Sequence, residues 1–478
     1  MTQSRGPADD KRPTPRHRNS RGDPMSRNFA KALAGLATLS LLACGGGASN
    51  APENPAPPAS PSFNYVALGD SLAAGVQDGT TNEHTQPHSY AAILAKQLAK
   101  AYGGTLTMPL LAVDGPRKNP DKIPTLLGIS GEDSKSIFET KATGEALSSA
   151  SSLRDRTLAP IAFSEYRGEP TSQLDAALWL AEKWKDANPA TPKIMTLWLN
   201  NDVLGSVVQI GNENYTSAGV AAAMTPPEEF RANMDFVLGK LAATGAEVFV
   251  GNIPDITQIA YLVSGETVKR WTGLTVPADR LPEGARMSLP AALRIYTDLL
   301  AGREWEATLT EHLVDSSVLT AEEAAPIQAR IAALNQILAE LTAKHSLHLV
   351  DLNASLRAPQ TVEGTTYTAE WGAGGFFCLD GVHFSHSGHA YTANLFIRAI
   401  NQALGASVPE IEVSQVRLND PYVDADGDGF PRGPSYEPVR PIVQLLFQFR
   451  DADDTDPGVG IIGTPETIQE MKALAIAP

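Results

Sequence analysis

Cysteine is nearly absent from this chain: its 478 residues hold two, Cys44 and Cys378, too few for a disulfide framework. Basic residues are outnumbered, 38 against 54 acidic, for a formal charge of −16. That balance excludes nucleic acid as a partner, because neutralising phosphates demands basic patches; acidity here reads as a solubility feature. Long apolar runs are missing too. Ala32 to Ala43 is an apolar core preceded by Arg27 and Lys31, too short to span a membrane and suited to a secretory signal. No internal repeat is visible.

What the chain does have is a set of parts for nucleophilic chemistry. Gly69-Asp70-Ser71-Leu72 follows the apolar run Tyr65-Val66-Ala67-Leu68, and far downstream Asp380 and His383 stand three residues apart. A serine hydroxyl is a poor nucleophile until an imidazole takes its proton, and the imidazole keeps the right tautomer when a carboxylate orients its other nitrogen. A buried strand stopping at Gly-Asp-Ser would present Ser71 at the carboxyl end of a sheet, where open α/β folds keep their ligands. The two ends of the domain are therefore expected to meet in space. The G-x-S-x-G elbow of α/β-hydrolases fits less well, because Ala73 replaces its second glycine and the serine follows the first strand.

Three blocks in order carry a resemblance: Gly69-Asp70-Ser71-Leu72, then Leu199-Asn200-Asn201-Asp202 after the apolar run Ile194 to Trp198, then Asp380-Gly381-Val382-His383 with Ser385 and Gly388 behind it. Together they resemble blocks I, III and V of the GDSL, or SGNH, ester hydrolases, over roughly residues 62 to 405. The resemblance implies the SGNH hydrolase fold, a doubly wound (flavodoxin-like) α/β parallel sheet sandwiched by helices, here with long insertions. It implies a carboxylic ester hydrolase with Ser71 as nucleophile, His383 as base and Asp380 as its orienter, working through an acyl-enzyme without a cofactor. The implied oxyanion donors are the Ser71 N–H, the Asn201 amide and a block II glycine. Gly168 is the first candidate for that glycine, because Thr171 and Ser172 behind it open an apolar-periodic helix; Gly115 and Gly131 stay open. Leu199 stands where block III usually carries glycine, which bears on the loop's shape. Asp202 reads as a brace for its turn. Alternative readings are an acyltransferase using the same acyl-enzyme and a non-catalytic lipid- or glycan-binding lipoprotein on the same scaffold.

Leu41-Leu42-Ala43-Cys44 resembles a bacterial lipobox, which implies that Cys44 becomes the lipidated first residue; an ordinary cleaved signal with a coincidental cysteine is the alternative. Met25 reads as the start of the leader. Gly45, where aspartate would signal retention, points to the outer membrane. The expected organisation is a leader over 1–44, a Gly/Ala/Ser/Pro tether over 45–61, a hydrolase domain over 62–405 and an extension over 406–478. Such a protein would sit in the cell envelope, held to a membrane by its lipid, acting on a lipid or another acylated envelope component. With Cys44 acylated, Cys378 reads as a small buried hydrophobe.

Apolar runs at 65–68, 194–199, 247–250 and 347–352 alternate with helical patterns, the rhythm of a parallel sheet. Thr225 with Glu228 and Thr320 with Glu323 read as capping boxes. Residues 104–165 and 256–319, dense in Gly, Pro, Ser and Thr, read as insertions shaping a cleft. Asp424-Ala425-Asp426-Gly427-Asp428-Gly429 matches the first half of a calcium loop, with Asp424, Asp426 and Asp428 as ligands. Its twelfth position is Ser435, with Glu437 the nearest carboxylate, so a plain acidic turn is the rival reading. His386 and His389 extend His383 into a His-x-x-His-x-x-His run, read as partly exposed positions at a helix start rather than as zinc ligands.

Overall fold

The computed structural model describes residues 64–436, apart from 104–105, 114, 144–151, 163–168, 185–190, 212–215, 217–218, 221–222, 358 and 428–429. The leader, Cys44 and the tether lie outside these residues. The strands in chain order are β1 (Asn64–Gly69), β2 (Lys193–Trp198), β3 (Glu247–Gly251), β4 (Leu262–Val263), β5 (Arg286–Ser288), β6 (Val318–Leu319), β7 (His348–Val350), β8 (Gln360–Val362) and β9 (Thr365–Tyr367). The central sheet runs β1-β2-β3-β7, every pair parallel.

A further segment lies along the free side of β1. The Ala67 N–H donates to Thr125 O at 3.0 Å, Leu127 to Ala67 O at 2.8 Å and Ile129 to Gly69 O at 3.1 Å, a parallel ladder. This completes the doubly wound, flavodoxin-like order. The sequence reading placed these residues inside an insertion. Gly128 explains the miss: it interrupts the apolar pattern because a Cβ there would lie 2.3 Å from Ala74 N and 2.6 Å from Ala73 C.

Alternation along β1 serves two cores, as a sheet covered on both faces requires. Val66 and Leu68 join one cluster with residues of the helices Gln173–Lys183, Pro227–Ala242 and Ala321–Lys344. Tyr65 and Ala67 join the other, with the helices Tyr90–Tyr102 and His386–Leu404. Each fully buried Leu, Val or Phe in these layers contributes about 1.5–3 kcal/mol by leaving water, so two-sided burial is what fixes the sheet. No described helix is long and apolar enough to cross a membrane.

Two of the helix starts read from sequence have different outcomes. Thr320 and Glu323 form the expected reciprocal cap. Thr225 does not cap: Pro226 is the N-cap of Pro227–Ala242 with no side-chain bond, and the Thr225 N–H goes instead to Asp202 O at 3.0 Å. The helix start was legible, but the threonine serves the loop after β2.

Residues 262–319 form their own layer, an antiparallel β4-β5-β6 sheet with the helices Gly265–Thr272, Leu289–Leu300 and Trp305–His312. Its core includes Trp371, Cys378, Leu379, Tyr422 and Phe430, so this insertion packs on the loop that carries Asp380 and His383. Tyr261 N donates to Gly381 O at 2.7 Å, which docks that loop directly.

Candidate active site

β1 ends at Gly69, whose φ is +146° and whose place a Cβ would contest at 2.4 Å from Trp198 O. Glycine is required for β1 and β2 to run this close at their carboxyl ends. The next residue ties the two strand ends together. Asp70 Oδ1 accepts from Leu72 N at 3.0 Å, and its Oδ2 accepts from Asn200 N at 2.8 Å and Asn200 Nδ2 at 3.0 Å. Burial pushes the Asp70 carboxyl up from its ordinary range despite these donors. Gln173 clamps the same turn, accepting from Gly69 N and donating to Gly69 O and Leu127 O, each at 2.9 Å. Ser71 therefore opens the short helix Ser71–Ala74 on a turn held from three sides.

The closing loop brings the other partners. His383 Nδ1 and Asp380 Oδ2 are 2.6 Å apart. The same oxygen accepts from Gly79 N at 2.9 Å; Oδ1 accepts from Val382 N at 2.9 Å, His383 N at 2.8 Å and Cys378 Sγ at 3.2 Å. Burial alone would raise this carboxyl, but the His383 charge and the converging donors hold it well below the carboxylate range. Burial would likewise depress the imidazole, yet the Asp380 charge and hydrogen bond, aided by Asp70 and Asp78, leave it raised above 6.5. That combination favours Asp380 as an anion that steadies an imidazolium.

The two ends of the domain do meet. Gln77 Nε2 donates to Phe384 O at 3.0 Å and Gly79 N to Asp380 Oδ2, contacts spanning about 300 residues. Asp70, beside Ser71, lies within electrostatic range of His383. Among the described residues no hydrogen bond joins Ser71 Oγ to His383; such bonds are commonly long before substrate arrives.

Asn201 starts the helix Asn201–Val207 at the end of β2 and donates from Nδ2 to Glu132 O at 3.0 Å. An amide nitrogen has two hydrogens, so one remains for a ligand. Asp202 takes Ser134 Oγ at 2.6 Å and Ser134 N at 2.9 Å, so it is a brace, though for the loop 131–134 rather than for its own turn. Gly168 lies outside the described residues. Gly115 uses its N–H on Ala112 O. Gly131 sits at the carboxyl end of the 125–129 segment, next to the Glu132 carbonyl that holds Asn201.

Two readings are corrected. Cys378 is buried but is no inert hydrophobe, since it donates to Asp380 and accepts from Asp78 N at 3.3 Å. His389 is fully buried, with Nδ1 accepting from Tyr90 N at 3.2 Å. His386 stacks flat on His88 with ring centroids 3.5 Å apart, and burial pushes both well below 6.5, to about 4 and about 3. The helix start and the partial exposure of His386 were read correctly; His389 instead turns onto Phe384 of the second core.

Two groups of side chains are close enough to hold a cation. Asp78, Cys378 and Asp380 form one, but Asp380 is already committed to His383 and backbone donors. Asp298, Glu311 and His312 form the other, where Arg303 sits 2.6 Å from Asp298 Oδ2. In the calcium-like segment, Asp424 Oδ1 accepts from Gly427 N at 2.7 Å, an acidic turn; Asp428 and Glu437 lie outside the described residues, and no cation-holding group gathers there among the described ones.

No family model matches the chain, and no curated protein does. Solved structures similar to it include the extracellular lipase of Streptomyces rimosus, 15% identical, with 71% of this chain and all of that one covered at a TM-score of 0.33. Phospholipase A1 of Streptomyces albidoflavus is 14% identical over 71% of this chain and 99% of that one, TM-score 0.32. An acetylxylan esterase of Geobacillus stearothermophilus is 12% identical over 72% and 96%, TM-score 0.31. Likenesses this distant carry no argument about activity, which rests on the site's own chemistry.

Proposed function

We propose that the chain is a serine ester hydrolase of the GDSL type, cleaving carboxylic esters through an acyl-enzyme on Ser71. The observation that carries this reading is the 2.6 Å pairing of His383 Nδ1 with a buried, multiply bonded Asp380, on a loop stitched to Gln77 and Gly79 just after the helix that Ser71 opens. In the proposed cycle Ser71 Oγ attacks the ester carbonyl as His383 Nε2 takes its proton. The alcohol leaves with that proton, water attacks the acyl-enzyme with His383 as base again, and the acid departs. The oxyanion lies against the Ser71 N–H, the Asn201 amide and the N–H of a block II glycine, either Gly168 or Gly131 at the end of the segment beside β1. Short and long p-nitrophenyl esters offered to the chain from residue 62 test the reading: no turnover of any, with no labelling of Ser71 by a fluorophosphonate, would leave the binding-module alternative.

Asn201→Ala is the test of the oxyanion assignment. The donor acts on charge that exists only in the transition state, so kcat is expected to fall roughly 10²–10³-fold with KM little changed. A variant that loses affinity but keeps kcat would place Asn201 in substrate binding instead.

The leader completes the proposal with a lipid anchor on Cys44, placing the enzyme in the cell envelope against lipid or acylated envelope esters. Mass analysis of the mature amino terminus checks it. A diacylglyceryl Cys44 is expected, and an unmodified terminus at another residue would remove the anchor.

A further inference from the structure

Behind the His383 and Asp380 pair lies a second carboxyl group that the proposed cycle leaves idle. Asp78, a few residues beyond Ser71, is fully buried and holds a left-handed φ of 50°, uncommon for residues other than glycine and a frequent mark of functional loops. One of its oxygens accepts the Tyr422 hydroxyl at 2.6 Å; the other is buried with no direct hydrogen bond. An oxygen of Asp78, the Cys378 sulfur and an oxygen of Asp380 all lie within 4.8 Å of one another, and the Cys378 thiol donates to Asp380 Oδ1 at 3.2 Å.

Two carboxyl groups this close in a buried place do not both ionise readily. Asp380 keeps the charge, because His383, Gly79 and Val382 all donate to it. Asp78 is left with the proton: burial and the Asp380 charge push it up to about 7. The sulfur between them already spends its own hydrogen on Asp380, so the carboxylic O–H of Asp78 has a free lone pair to meet.

We infer that Asp78 is a positioning residue for the base: its carboxylic O–H points at Cys378 Sγ, the thiol S–H points at Asp380 Oδ1, and the Tyr422 hydroxyl holds the acid in place. The inference rests on the hydrolase reading of Ser71 and His383. It makes the segment after the last core helix part of the working site, since Tyr422 comes from there. The titratable groups facing Asp78 are Asp380, Cys378 and His383 on the closing loop and Tyr422 and Tyr436 on that segment.

The test uses Asp78→Asn, which suits a left-handed backbone, and Tyr422→Phe, which removes one hydroxyl. The first readout needs no turnover: the titration of His383 followed by NMR on the chain labelled with ¹³C-histidine, assigned with His383→Gln. Asp78 holds its proton only up to about 7, so it gains charge over the range in which His383 titrates and then supports the imidazolium; Asp78→Asn, which never ionises, is expected to lower the His383 pKa by roughly half a unit. Tyr422→Phe leaves Asp78 protonated to higher pH and shifts His383 the same way by less. The second readout is kcat on p-nitrophenyl acetate, expected to fall roughly 10-fold at unchanged KM in Tyr422→Phe, which releases the acid, and to fall less in Asp78→Asn, whose amide keeps both hydrogen bonds of the protonated acid. Both variants matching the parent in His383 titration and in kcat would overturn the inference, and Tyr422→Phe decides it if Asp78→Asn does not fold. Should the parent show no esterase activity and no labelling of Ser71, the hydrolase reading fails, while the NMR titration still reports whether Asp78 and His383 are coupled.

Discussion

Ser71→Ala is expected to lower kcat for ester hydrolysis by roughly 10⁴–10⁶-fold while leaving KM and thermal stability close to the parent. The size follows from what the substitution removes and what it spares. It deletes the one atom that forms the acyl bond, so water must attack the ester directly. It spares the Ser71 N–H, the Asp70 bond to Leu72 N at 3.0 Å and the Asn200 bonds that hold the turn, so the fold and the oxyanion donors persist. The residue is small and 4% exposed, and its loss opens only a minor cavity. Initial rates on a p-nitrophenyl ester, with an unfolding curve beside them, make the comparison. A variant keeping a tenth of the parental kcat would mean that another group is the nucleophile.

Asp380→Asn carries the second large effect, roughly 10⁴-fold in kcat. Asp380 accepts from His383 Nδ1, Gly79 N, Val382 N, His383 N and Cys378 Sγ. An asparagine can keep an oxygen toward only one group of these donors. If it faces Val382 and His383 N–H, its NH₂ confronts Nδ1 and forces the proton onto Nε2, the nitrogen meant to receive the serine proton. The pH dependence gives a second sign. The parental imidazole is raised above 6.5 by the Asp380 charge working against burial, and hydrolysis needs it neutral, so the acid limb of kcat/KM for the parent should have its midpoint above 6.5. Without that charge burial dominates, and the residual activity of Asp380→Asn should carry its acid limb to lower pH. A limb that stays put would separate Asp380 from the base.

The parts of the site that were legible in the sequence share a property: their chemistry and their chain setting are local. Gly69-Asp70-Ser71 follows a buried apolar strand, and Asp380 and His383 sit on one short loop, so residue type and spacing announce them. The covered parallel sheet was legible for the same reason, in runs such as Ile194 to Trp198. What escaped depends on contacts between distant segments. The ladder at Thr125 to Ile129 is broken by Gly128, whose lack of a Cβ answers to Ala73 and Ala74, and with that strand unseen Gly131 stayed one of the alternatives to Gly168. Ser172 does cap its helix, which drew attention to Gly168. Cys378 read as a core thiol and Asp78 carried no signal, and only the fold puts them beside Asp380. Thr225 keeps the composition of a cap but bonds Asp202, a partner no local pattern reveals.

The central claim is that a hydroxyl near the start of the domain becomes nucleophilic through a histidine near its end. Labelling with one equivalent of a fluorophosphonate above neutral pH, followed by intact mass and peptide mapping, addresses it most directly. A single adduct on Ser71, formed far more slowly in His383→Ala, is the predicted result. An adduct on a different residue, or an unlabelled protein that still hydrolyses esters, would contradict it.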